Sequence, residues 1–205
     1  TQSSVLTAKN KIMKKTLLLT LALLLSVTIF AQNRSVLLRE TFDSMSLPTG
    51  WTVSDNSTDN WSISTTNRAG GEANELKFSA EPKSVGTSRI ITTPIDLSGL
   101  STVTMSFRHF FDKKTYSAVI GIATSSNNGQ TWNAAWSQSY SEAGQYNVIA
   151  SLKNNDMGKD NVLFCIYFQG NSTNINNWYF DDIEITSMEA IDAKAQSIDL
   201  GDIIP

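Results

Sequence analysis

From residue 35 to residue 186 the hydrophobic positions do not recur at the three-and-four spacing of a helix. Short runs rich in Val, Ile, Thr, Phe, Tyr and Trp appear instead, separated by clusters of Gly, Asn, Asp and Ser. These runs predict strands over 36–42, 51–54, 61–64, 75–79, 88–92, 102–111, 116–124, 131–137, 146–150, 162–169 and 178–186. Within 102–111, Val103, Met105, Phe107 and His109 share one side, while Thr104, Ser106 and Arg108 take the other. The run over 162–168 is apolar on both sides and reads as a central strand covered twice. So many short strands joined by turn signals predict an all-β fold: a two-sheet antiparallel β-sandwich with jelly-roll topology.

Ahead of this region, Met13-Lys14-Lys15 leads into an apolar run over 16–30 and then Ala31-Gln32. A positive start, a short apolar stretch and a small residue before a polar one make a secretory signal peptide over 13–31, cleaved after Ala31. The run falls short of the roughly 20 residues of a spanning helix, so no membrane span is expected after cleavage. Residues 1–12 read as upstream sequence, 32–187 as the jelly-roll domain, and 188–205 as a linker or the start of a further domain. The chain is expected to be a fragment, open at both ends.

Composition narrows the function. Apolar residues make up 40% of the 205 and charged ones 17%, too apolar for disorder and too weakly charged for a long solvated helix. The formal charge is −3, but residues 1–31 hold four lysines and no acid. The remainder carries 12 basic against 19 acidic side chains, a net of −7. That balance argues against nucleic acid or anionic membrane as partner and suits a divalent cation. One cysteine excludes an intrachain disulfide framework, and one histidine excludes the two-histidine zinc motifs.

Two carboxylates stand out by their side of the strand. Val36, Leu38, Glu40 and Phe42 share parity, as do Asp181, Ile183 and Ile185, which places both acids among core-facing residues. A carboxylate is costly to bury unless it is paired or bound to a metal. First and last strands of a jelly roll commonly lie close, so Glu40 and Asp181 are expected to meet at one end. Calcium suits such a site, with Asp43, Asp59 or Asp182 completing the shell. The alternatives are an ion pair to Arg39 or Arg89, or a parity shifted by a bulge. The 55–60 segment begins like an EF-hand loop but lacks its glycine and closing acid, and remains a polar loop able to lend one ligand.

Catalytic readings find little footing. His109 reads as a satisfied core histidine and Cys165 as a buried thiol, and no Ser-His-Asp or Cys-His constellation is evident. The Glu-x-Asp-x-x-Glu strand motif of laminarinase-like sandwich enzymes is missing, and Asp181-Asp182-Ile183-Glu184 has the wrong spacing for it. Tryptophans in or beside strands default to core packing. Trp136 and Tyr140, near a polar loop, are the best placed to face a ligand. The octet from Ser125 to Trp132 resembles the Asp-box, Ser-x-Asp-x-Gly-x-Thr-Trp, with Asn127 in the aspartate position, and reads as a structural hairpin.

Several motifs in order resemble the cleaved-adhesin, or choice-of-anchor J, domain. They are Glu40-Thr41-Phe42-Asp43, Leu47-Pro48-Thr49-Gly50-Trp51, Trp61, the stretch from Ser88 to Ser98, and the stretch from Trp178 to Ile185, which also fits the related MAM-like jelly rolls. The resemblance covers residues 37–187. It implies a calcium-stabilised jelly roll in secreted or surface proteins of Gram-negative bacteria, with Glu40 and Asp181 as the calcium contacts. The expectation is a non-catalytic, adhesin-like binding module at the outer cell surface or secreted, its partner an extracellular or host protein or glycan. The alternatives are an accessory domain of a secreted protease or glycosidase and a structural spacer.

Overall fold

Strands form where the β-branched and aromatic runs stand: β1 Arg34–Glu40, β2 Thr52–Asp55, β3 Trp61–Ser64, β4 Glu75–Ser79, β5 Val85–Ile91, β6 Val103–Lys113, β7 Val119–Ser125, β8 Asn133–Gln138, β9 Gly144–Leu152, β10 Leu163–Asn171 and β11 Ile175–Met188. This computed structural model describes residues 34–55, 58–116 and 118–188. They belong to one unit, Arg34–Glu189. Residues 1–33 and 189–205, and with them the signal peptide expected over 13–31 and nearly all of the linker expected over 188–205, lie outside the described residues. Each predicted run holds one strand. The clearest difference in bounds is Tyr116, expected at the head of a strand but 75% exposed in the turn before β7.

The strands make two antiparallel sheets. One has the order β3-β4-β11-β6-β9 with β1 also paired to β11, and the other has the order β2-β5-β10-β7-β8. From β4 to β11 the chain passes repeatedly between the sheets, the winding of a jelly roll. The core lies between them, built by alternation. Val103, Met105, Phe107 and His109 of β6 are buried while Arg108 is exposed. Phe164, Ile166 and Phe168 of the central β10 are buried as well. Phe78 of β4 stacks on Phe168 at 4.4 Å, and Phe107 of β6 meets Trp136 of β8 edge-on at 5.1 Å, so both sheets contribute to one apolar layer.

β11 organises the larger sheet. Along one edge it pairs with β6; along the other, β4 takes its first half and β1 its second. The register with β6 shifts between Asp181 and Glu184, and Asp182 adopts φ 51°. This is a bulge, and it changes which side each residue faces. Trp178 and Phe180 point into the core before it, Ile183 and Ile185 after it. Asp181 therefore sits opposite Arg108, on the outer face of the sheet. It is buried as parity suggested, but under loops rather than between sheets.

β1 carries a second shift, between Val36 and Leu38. It leaves Val36 54% exposed, where strict alternation would have turned it inward.

Candidate functional site

The outer face of the larger sheet is roofed by the 65–74 loop between β3 and β4. Glu75, fully buried at the head of β4, closes this loop on itself. Its Oε1 accepts from Thr66 Oγ1 at 2.5 Å and from Arg68 N at 2.8 Å, and its Oε2 accepts from Ala69 N at 2.7 Å. The Arg68 guanidinium lies 5.2 Å from the Phe110 ring centroid, which lays the loop on the sheet. Asn74 Nδ2 donates to Asp43 O at 2.7 Å and ties the loop to the segment after β1.

Gly71 has to be glycine. Its φ is +101°, and a Cβ there would lie 2.8 Å from Asp182 Oδ2 and 2.9 Å from Asp181 Oδ2. The backbone thus passes directly over two carboxylates. Asp181 is 1% exposed; its Oδ1 accepts from Asp182 N at 2.8 Å, and its Oδ2 has no hydrogen-bond or ion-pair partner among the described residues. Burial, reinforced by the charges of Asp182, Glu75 and Asp43 and opposed by the Asp182 amide, pushes its carboxyl up to about 7.

The neighbouring acids are better provided for. Asp182 Oδ2 meets Arg108 Nε at 3.0 Å, an ion pair to an arginine other than the expected Arg39 or Arg89. Asp43 Oδ2 accepts from Thr41 Oγ1 at 2.7 Å. Glu40 lies opposite Ile183, and its Oε1 accepts from Phe42 N at 2.7 Å, beside a fully buried Phe42 at φ 51°. Asp43, Asp181 and Asp182 come together with Glu75, an acid the sequence reading did not single out. Glu40 lies alongside with its carboxylate turned to the Phe42 amide. Asp59 stands exposed in the turn before Trp61, at the opposite end of the β3–β4 pair from Glu75, and does not join them.

Among the described residues no three carboxylates close on one point as a ready cage. What the seam offers is one nearly buried carboxylate, with the Asp182 amide as its donor, amid three further acids. That donor set is hard oxygen throughout, which fits calcium and not a thiolate- or imidazole-seeking metal.

The aromatic candidates face inward. Trp136 packs on Phe107 and, at 5.8 Å, on His109, while Tyr140 stacks on Tyr146 at 3.9 Å. Tyr140 Oη lies 3.1 Å from His109 Nε2, and burial pushes the Tyr140 hydroxyl up to about 12. Together they close the gap between β8 and β9 over His109. That histidine is fully buried, and burial lowers it to about 4, so it is neutral near pH 7. Cys165 is buried and in no disulfide. The tryptophan that does face outward is Trp132, and with it Tyr167. Neither was a leading candidate, because a tryptophan beside a strand usually fills a core.

No protein-family model matches the sequence, and no curated protein sequence matches it. Solved structures do match. The K1 cleaved adhesin domain of Lys-gingipain from Porphyromonas gingivalis W83 superposes with a TM-score of 0.57 at 14% identity, over 73% of this chain and 97% of that one. The fold is that of a cleaved adhesin domain. The K3 domain of the same gingipain gives 0.56 at 18% identity, covering 75% of this chain and 100% of that domain. The CBM22-1–GH10 modules of Clostridium thermocellum xylanase 10B, complexed with xylohexaose, give 0.52 at 13% identity over 75% of this chain and 28% of that one. In the cleaved-adhesin fold described here, the acidic seam lies on the outer face of the larger sheet. No helix among the described residues is long and apolar enough to cross a membrane.

Proposed function

We propose that this chain is a non-catalytic binding module, adhesin-like, secreted or held at the outer surface of a Gram-negative cell, with an extracellular protein or glycan as its ligand. The observation that carries the reading is the shared architecture: the same jelly roll serves as adhesin domains in a gingipain and sits beside a catalytic module in a glycan-bound xylanase. The signal-like leader and the acidic charge agree with it. An array of glycans and matrix proteins, probed with the full chain in calcium, tests it; specific capture is expected, and uniform silence would leave only a spacer. The accessory-domain reading draws on the xylanase, where this fold is about a quarter of the chain. A catalytic domain encoded beyond Pro205 would favour it.

The proposal includes calcium at the seam. Asp181 would hold the ion with help from Asp182 and Asp43, joining the 65–74 loop and the segment after β1 to the bulge of β11. The ion would supply the positive charge that Asp181 Oδ2 lacks. For a Kd of about 10⁻⁴ to 10⁻³ M, millimolar calcium adds about 0.4–1.4 kcal/mol of stability. The melting temperature in 1 mM calcium should therefore exceed that in EDTA, and Asp181→Asn should abolish the difference. Identical melts in calcium and EDTA would remove the ion from this account.

A further inference from the structure

The outer face of the smaller sheet carries a second arrangement that the acidic seam does not use. Directly paired residues form a row across its five strands: Ser54, Arg89, Tyr167, Gly121 and Ser137. The row is low at its centre. A Cβ on Gly121 would lie 2.6 Å from ring atoms of Tyr167, so the phenol lies flat across the glycine. Its hydroxyl reaches Ser137. In the next row stand Ala123 and Ala134, again small.

One wall of this trough is Trp132, and its place is fixed by the Asp-box-like hairpin. Ser125 Oγ and Thr131 N both donate to Asn127 Oδ1, at 2.8 and 3.0 Å, and Gly129 N donates to Ser125 Oγ at 3.0 Å. Gly129, at φ +78°, lies against the indole, 3.4 Å from where its Cβ would be. On the other side the Arg89 guanidinium stands 5.5 Å from the ring centroid. The indole is thus held in place and only partly exposed. The hollow beside it measures about 160 Å³, and Thr87 and Gln169 complete its rim. Drug-sized pockets run to roughly 300–1,000 Å³, so this one takes a single ring with the rest of a ligand running out along the sheet.

A flat aromatic floor at Tyr167, with planar donors beside it and an indole edge as wall, suits a ring whose faces are C–H and whose rim is hydroxyl. We propose that the Trp132–Tyr167 cleft binds one pyranose unit of a neutral glycan chain, the sugar face lying on the Tyr167 ring with its rim against the indole edge, while Arg89 and Gln169 meet its hydroxyls. The assignment rests on the binding-module reading and gives that module a ligand class and a place. Because the hairpin already holds Trp132, little side-chain freedom is lost on binding.

The test is a panel of neutral oligosaccharides, xylohexaose among them, titrated into the full chain and followed by calorimetry and tryptophan fluorescence. Trp132→Ala should weaken binding at least tenfold. Since that change also disturbs the hairpin, Ala134→Arg serves as the second variant: it fills the cleft from an exposed position, and it too should weaken binding at least tenfold with an unchanged melt. Trp136→Phe should leave affinity within twofold. Full affinity in both Trp132→Ala and Ala134→Arg overturns the site while the binding-module reading stands. Capture of proteins but of no oligosaccharide overturns the ligand class, and silence towards both classes overturns the module and the cleft together.

Discussion

Asp181 and His109 are both buried ionisable groups, and their shifts oppose each other. Asp181 is raised from 3.8 to about 7, so between those values the folded chain keeps a proton that the unfolded chain has released. Its contribution to stability is fully present near pH 4 and is lost as pH rises through 7. His109 is lowered from 6.5 to about 4, so its contribution is present above 6.5 and is lost as pH falls towards 4. Its surroundings are aromatic: Tyr140, Tyr146, Trp136, Trp178 and Phe107. Asp181 faces Asp182, Glu75 and Asp43, with Arg108 engaged on Asp182. In EDTA the parent chain should show a shallow stability profile from pH 4.5 to 6.5. Asp181→Asn should expose the histidine slope, its melting temperature falling on acidification. His109→Leu should expose the opposite slope, by up to about 1.4 kcal/mol per pH unit. Melts across pH decide it, and parallel profiles in the two variants would contradict both assignments.

At the scale of the element, alternation was legible and bulges were not. The faces of β6 and the double burial of β10 follow directly from residue type at period two. Asp181 and Trp136 went to unexpected sides because one inserted residue reverses every face beyond it. In β8 the register shifts against β7 between Ile122 and Ala123, so Ala134 faces out while Trp136 turns onto the core. Trp132 and Trp136 share sequence parity yet serve opposite sides. Glu75 was hidden for another reason: its bonds go to backbone amides of a loop, which residue types do not announce. The Gly70–Gly71 pair ahead of it was the available signal. Gly121 shows how tightly β7 is specified, since a Cβ there would also lie 2.6 Å from Trp136 O, a backbone atom that cannot step aside. Gly121→Ala should destabilise the chain by about 1–3 kcal/mol in urea melts. An unchanged midpoint would mean that β8 yields more easily than its ladder suggests.

For the whole molecule, the two-sheet sandwich was readable from the density of short β-rich runs, and the neighbourhood of first and last strands came with it. The acidic seam and the aromatic cleft occupy opposite outer faces, so a cation on one side and a sugar on the other need not compete. β1 and β11 also set how the domain meets a pulling force. Arg34 lies opposite Met188, its guanidinium bonded to Glu184 Oε1 at 3.0 Å and Thr186 Oγ1 at 2.9 Å. Tension applied at residues 34 and 188 loads the antiparallel ladder from one end, opening its bonds one after another rather than shearing them together. Peeling then reaches Glu40 and Phe42, where the calcium proposed for the seam would stop it. Single-molecule stretching should show an early low-force extension followed by a rupture that EDTA weakens; one high-force event indifferent to EDTA would refute this. An attachment built this way would yield first and grip second.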